Sequence, residues 1–228
     1  MLSIEIFLLS LILVTNTVIV WILAFNGWKV ASGRYFTAAV FFITFWTLGT
    51  LLFSIGATPV EAGFGLQMFY TAPMIAMLFL LCFANTFPGR ATKPYLFLTI
   101  VIAVISVGFA GFILLNPDFL TQSIVMREGE SNELTVRPES YFIYMLYFNL
   151  IFVSAFVSLL AQISRHKGQV RKQLISIFIG TFLAAMLSLV TNLLLPYLGN
   201  TTWIWLGPVS TLFYIYTVSS SIVKHQLF

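Results

Sequence analysis

The chain has 228 residues, 60% of them hydrophobic and 17% aromatic, with 8% charged and a net charge of +4. A soluble domain carries about 25% charged residues, so this surface could not be wetted and the bilayer is the expected solvent. The basic residues sit beside the ends of apolar runs, where anchoring explains them, and nucleic acid is not an expected partner.

A membrane-spanning helix needs about 20 mostly apolar residues, and the chain divides into seven such runs. Span one is read as Leu2–Phe25, with Thr15, Asn16 and Thr17 in its middle. It has no Lys or Arg before the apolar run Ile6–Phe25 and no small-residue cleavage site after it, so it is expected to be a retained span and not a signal peptide. Gly27, Lys29, Gly33 and Arg34 form the first turn, and span two is Tyr35–Ile55, ending at Gly56–Ala57–Thr58–Pro59. Span three is Leu66–Phe87 with Pro73 inside it, a position tolerated in membranes because neighbouring groups re-satisfy the freed carbonyl. Pro88–Gly89–Arg90 stops it, and Lys93–Pro94 opens span four at Tyr95–Leu115.

Asn116–Ser140 is the one long loop, and within it Leu134–Val136 alternates weakly, which favours a short strand or hairpin. Span five is Tyr141–Ile163, the basic loop is Ser164–Lys172, and span six is Gln173–Leu195, stopped by Pro196. Trp203 and Trp205 mark the interface at the start of span seven, which runs to Val223. The lone Cys82 lies within a span, so no internal disulfide is available and an inert buried thiol is expected.

The charges orient this map. Glu5, Glu61, Asp118, Glu128, Glu130, Glu133 and Glu139 fall at the start and in the even-numbered loops. Lys29, Arg34, Arg90, Lys93, Arg165, Lys167, Arg171, Lys172 and Lys224 fall in the odd-numbered loops and at the end, and only Arg127 and Arg137 depart from the pattern. Lys and Arg concentrate in cytoplasmic loops, so the amino terminus is expected outside and the carboxyl terminus inside, in the cell membrane. The fold expected is an all-α bundle of seven transmembrane helices forming one domain over residues 1–228. Gly180, Ala184 and Ser188 recur every four residues in span six, as do Ser154 and Ser158 in span five. Such rows let helices approach closely. Packing within the bundle is the expected use, with a homodimer face as the alternative.

No Asp, Glu, Lys, Arg or His lies at mid-membrane depth on this map. Intramembrane catalysis needs carboxylate pairs, an activated nucleophile or a metal set, so no catalytic residue, metal site or cofactor is expected. A retinal protein would need a mid-span Lys, and span seven offers only Lys224 at its end. Uncharged polar groups remain at a common depth: Gln67 and Tyr70 in span three, Asn149 in span five, Thr191 and Asn192 in span six, Trp205 and Tyr214 in span seven. Aromatics with a few amides suit a small apolar or amphipathic ligand. The competing reading is that these amides bond neighbouring helices.

From span three onward the chain resembles the amino-terminal seven-transmembrane sensor region found ahead of prokaryotic histidine kinases. The resemblance rests on Tyr70 and Pro73, Phe83–Pro88 (FANTFP), Arg171-x-Gln173, Asn192 with Leu195–Pro196, Gly207–Pro208, and the closing tract Ile222–Phe228. It implies a signal-input domain that shifts helices and passes the change through the inner end of span seven. Arg171, Gln173, Lys224, His225 and Phe228 are the expected output residues. The implied partner is a cytoplasmic kinase or cyclase module, in the same chain or in another, with the lipid bilayer as surroundings. The chain as read stops at Phe228 before any phospho-acceptor box. The rival class is a small-solute transporter or channel subunit, which would need a polar path through both halves of the bilayer.

Overall fold

A computed structural model describes residues 2–26, 30–87, 93–127 and 131–225, with side chains described over 4–25, 30–87, 97–127 and 131–218. The helices are α1 (Leu2–Asn26), α2 (Ala31–Ile55), α3 (Pro59–Thr86), α4 (Lys93–Leu115), α5 (Pro138–Arg165), α6 (Gly168–Leu189), the short α7 (Leu195–Tyr197) and α8 (Leu206–His225). A 3-10 turn at Pro117–Phe119 leads into strands β1 (Thr121–Val125) and β2 (Glu133–Val136). Among the described residues, six helical segments are long and apolar enough to cross a membrane, the sixth being α6 continued to Tyr197, and α8 is apolar over Leu206–Val218. Helices are the natural form here, because a backbone in hydrocarbon must satisfy its own hydrogen bonds.

Helices α2 to α6 begin ahead of the apolar runs. α2 starts at Ala31 and takes in Gly33 and Arg34, and α5 begins at Pro138. α3 begins at Pro59, ahead of the expected Leu66, for a local reason. The Thr58 side chain accepts from the Glu61 N–H while the Glu61 carboxylate accepts from the Ala57 and Thr58 amides. That is a capping box, which satisfies amides a helix start leaves open. Gly27, Lys29, Pro88–Arg90, Glu128–Glu130 and Phe228, all used in the charge map, the turns or the output reading, lie outside the described residues.

α3 is the central helix, packed against α2, α4 and α5. Its contact with α2 is the most extensive in the molecule and rests on glycine. A Cβ on Gly49 would meet Phe69 N at 2.7 Å and Gly65 O at 2.8 Å, and one on Gly65 would strike Phe53 N. The two backbones therefore touch directly, which small residues permit where lipid supplies no hydrophobic drive. The α6–α8 pair is the second close contact: a Cβ on Gly180 would run into the Thr217 side chain, and Ser188 and Ser210 hydroxyls meet at 2.7 Å. The row Gly180–Ala184–Ser188 thus packs inside the bundle onto α8. By contrast, α1 and α4 present Phe7, Leu11, Val14, Val18, Val104 and Val107 outward, a surface that only lipid covers without cost.

The loop after α4 folds back as an antiparallel hairpin, with Ile124 opposite Leu134 and a register irregularity between Thr121 and Ser123. Leu134 and Val136 point into a core with Leu120, Tyr141 and Ile204. The buried Asn132 holds the hairpin on the bundle: its amide donates to Phe53 O (2.8 Å) and Gly56 O (2.9 Å), and its oxygen accepts from Arg127 N (3.3 Å). The buried Glu5 carboxylate accepts from Ser54 at 2.6 Å and also from Ser131. These bonds tie the hairpin to the start of α1 and the end of α2. The core of Leu134 and Val136 with Tyr141, Leu193 and Ile204 brings the start of α5, the end of α6 and the approach to α8 to the same end of the molecule, the hairpin end. The basic residues Arg165, Lys167, Arg171 and Lys172 lie at the other.

Candidate functional site

Two hydrophobic cores are stacked along the bundle. One, at the hairpin end, contains Trp46, Phe69, Tyr70, Tyr141, Tyr144 and Leu193. The other, towards the far end, contains Ile43, Ala76, Leu80, Ala184 and Tyr214. Where they meet, packing is incomplete, and a cavity of about 80 Å³ remains. α2, α3, α5, α6 and α8 all line it, through Trp46, Pro73, Phe148, Ala184 and Tyr214 among others.

The wall on the α3–α5–α6 side is fixed by a cluster of three tyrosines. Tyr70, Tyr141 and Tyr144 stand with ring centroids 5.7–6.2 Å apart, and each hydroxyl is used. Tyr70 pairs with Thr121 of β1 at 3.3 Å, Tyr144 donates to Tyr70 O at 2.9 Å, and Tyr141 donates to Asn192 O at 2.6 Å. The last bond has a cause in the sequence. Pro196 has no N–H to give the carbonyl four residues before it, which is that of Asn192. The helix answers with a π segment over Val190–Leu194, and Tyr141 satisfies the carbonyl from outside. Such π turns are often found at functional sites.

The Asn192 side chain links this irregular turn to α8. Its amide fits its neighbours with nitrogen towards Ile204 O (2.7 Å) and oxygen accepting from Thr191 Oγ1 (2.8 Å) and Gly207 N (3.2 Å). A Cβ on Gly207 would overlap that amide. Glycine is therefore required for α6 and α8 to meet here.

Two polar groups on the cavity wall have no such partner. Among the described residues, the buried Trp46 Nε1 and Tyr214 hydroxyl find no hydrogen bond. The same is true of the Asn16 amide in α1 and of Gln173 Oε1 at the start of α6, neither of which lines this cavity.

Of the ligand residues expected from sequence, Asn192 and Tyr214 line the cavity, Tyr70 stands behind its wall, and Thr191 bonds Asn192. Gln67 is half-buried in α3, two turns nearer the hairpin end than Pro73. Asn149 faces outward and donates to Met145 O of its own helix at 2.8 Å, and Trp205 is half-buried beside Trp203. Those three are not brought to the cavity. Of the expected output residues, Arg171 is exposed and Gln173 buried, while Lys224 and His225 fall in the last turn of α8. Trp46 was not among the expected residues. Its helix is apolar on every side, so its sequence carries no mark of which face turns inward.

A model of the family described as the N-terminal 7TM region of histidine kinase matches residues 8–228. No curated protein matches the chain.

Proposed function

The chain belongs to this family and is a multi-pass membrane protein, and from that premise we propose that it is a single-domain signal-input device of the bilayer. It faces its hairpin end outward, recognises a stimulus in the central cavity and relays it through α6 and α8 to a histidine-kinase module on the cytoplasmic side. The region that gives the family its description precedes the kinase's catalytic part, so this chain's task is recognition and relay, not phosphoryl transfer.

The observation that carries the reading is the placement of the cavity against the α6–α8 pair. One wall is α6 next to its π turn, and another is α8, whose last turn holds Lys224 and His225. A ligand acts only by binding two arrangements differently. Filling or emptying a gap between two cores is such a difference, and α8 leads from it to the basic end. The basic loop Ser164–Lys172 suits the cytoplasmic leaflet, where anionic headgroups attract Lys and Arg.

The test joins the full chain to a histidine-kinase module and follows autophosphorylation in proteoliposomes. Ala184→Leu, which fills the cavity, is expected to lock phosphorylation at one level. A module that ignores this substitution overturns the relay. Orientation is tested separately with single cysteines at Val60 and Lys167, both exposed. An impermeant maleimide in intact cells is expected to reach the first and not the second.

A further inference from the structure

The cavity's two unpartnered groups specify the chemistry of what it holds. Trp46 is 6% exposed and Tyr214 4%; both residues line the cavity, and neither the indole N–H nor the phenol hydroxyl, each buried, has a hydrogen-bond partner among the described residues. An indole N–H can only donate, and a phenol can donate or accept. A buried donor left open is costly in any folded protein, and more so in a bilayer, where water is scarce. Other polar atoms on the wall do not have this vacancy. Thr181 donates to Ile177 O, Thr211 to Pro208 O and Ser188 to Gly207 O.

The rest of the lining is mostly apolar, with Phe69, Phe148 and Phe152 among smaller aliphatic side chains and no Asp, Glu, Lys, Arg or His. A charged ligand would have no counter-ion there, and its burial would be prohibitive. An oxygen acceptor, in contrast, meets one obligatory donor and one optional donor. The volume of about 80 Å³ lies well below the roughly 300 Å³ at which sites begin to engulf drug-sized molecules.

We infer that the cavity is a binding site for a small, neutral, mostly apolar molecule carrying a hydrogen-bond-accepting oxygen such as a ketone, received by Trp46 Nε1 and the Tyr214 hydroxyl. The inference deepens the sensor reading and rests on it for its purpose, but its test needs no kinase module. A failure of binding and a failure of relay are therefore separate results.

The test uses the full chain in lipid nanodiscs and two probes of nearly equal shape: 2-pentanone, and 2-methyl-1-pentene, in which a methylene replaces the carbonyl oxygen. Binding is read as a saturable rise in Tm. The ketone is expected to bind about tenfold more tightly than the alkene, because only the ketone satisfies the open donors. Trp46→Phe and Tyr214→Phe keep the ring and remove the polar atom, and each is expected to shrink that preference. Ala76→Leu narrows the cavity from α3 and is expected to abolish the saturable response to both probes. Equal binding of ketone and alkene would make the cavity a slot for acyl chains and overturn the inference. A ketone preference that persists in both phenylalanine variants would overturn it too, as would a response unchanged in A76L. Should a phenylalanine variant not fold, the wild-type comparison of the two probes with A76L still decides.

Discussion

The two ends of the bundle are held by different forces. At the hairpin end, elements far apart in sequence are tied by directional bonds: Glu5 to Ser54 and Ser131, Asn132 to the end of α2, Tyr70 to Thr121, Tyr141 to Asn192. Towards the far end a second apolar core fills the space between the helices, with Asn85 donating to Thr99 at 2.8 Å and Ser210 to Ala184 O at 2.8 Å. Hydrogen bonds fix a register, whereas interdigitated aliphatic and aromatic side chains allow small slides and rotations. One end of the molecule is thus a clamp and the other a joint, with the cavity between them. The relay proposed for this chain would need that asymmetry.

The sharpest way to break the comparison is through close glycine contacts, one chosen from each half of the bundle. A side chain on Gly65 is driven into the backbone of α2 at Phe53 N, and backbone cannot rotate away. Gly65→Val is expected to cost about 3 kcal/mol, at the upper end for overpacking. A side chain on Gly180 meets Thr217 as far in as its Cβ, at 2.7 Å, so α6 and α8 must part slightly to admit it, which a packed joint allows. Gly180→Ala is expected to cost about 1 kcal/mol. Unfolding free energies measured by steric trapping in bicelles would show the difference, and equal costs would remove the distinction between clamp and joint.

Next in size is Asn132→Ala. It removes two bonds to α2 and one to Arg127 N, and leaves the buried carbonyl of Phe53 without that donor. A loss of about 2 kcal/mol is expected. Amide exchange should rise across Thr121–Val125 and Glu133–Val136 while α6 and α8 stay protected. Faster exchange throughout the bundle would mean that the hairpin holds the whole fold and not one end of it.

Much of this was legible beforehand. The all-helical body, the order of its apolar helices and the hairpin follow from the demand that hydrocarbon places on backbone and charge, although of the seven expected spans six are long and apolar enough among the described residues and the last is a shorter apolar helix. That demand is written residue by residue. Rotation of each helix is not, because a helix that meets lipid on one side and protein on the other is apolar on both. Trp46 is therefore invisible in sequence while Asn192, a polar residue among leucines, stands out. Glu5 is instructive in the same way. Read as a marker of the outer face, it proves to be a buried tie between α1, α2 and the hairpin. Asn149 shows the reverse, a conspicuous amide that bonds Met145 O one turn away in its own helix. For Asn192, Glu5 and Asn149 polarity marked the residue, but the direction of its side chain could not be read.

Tyr141→Phe probes the junction of clamp and cavity, and the reason for its bond can be tested directly. The substitution leaves the Asn192 carbonyl open, at an expected cost of about 1 kcal/mol. That carbonyl is open because Pro196 has no N–H. In a Pro196→Ala background the helix can supply its own donor, so the same Tyr141→Phe should cost much less. A double-mutant cycle with no coupling would show that the π turn has another origin.

The smallest effect belongs to the far end. Asn85→Ala deletes the bond to Thr99 between α3 and α4. Interhelical hydrogen bonds in membranes average about 0.6 kcal/mol by double-mutant cycles, so a loss of that order is expected. Its value is as a contrast with Asn132. If the far end is a joint, removing its bond should loosen α4 against α3 without slowing or freezing any signal, and labelling rates at a cysteine on Val104, which is exposed to lipid, should change little. A loss as large as that of Asn132→Ala would place a second clamp at the far end. The proposed relay would then have to run through bending within α6 at Val190–Leu194, and not through sliding of one helix along another.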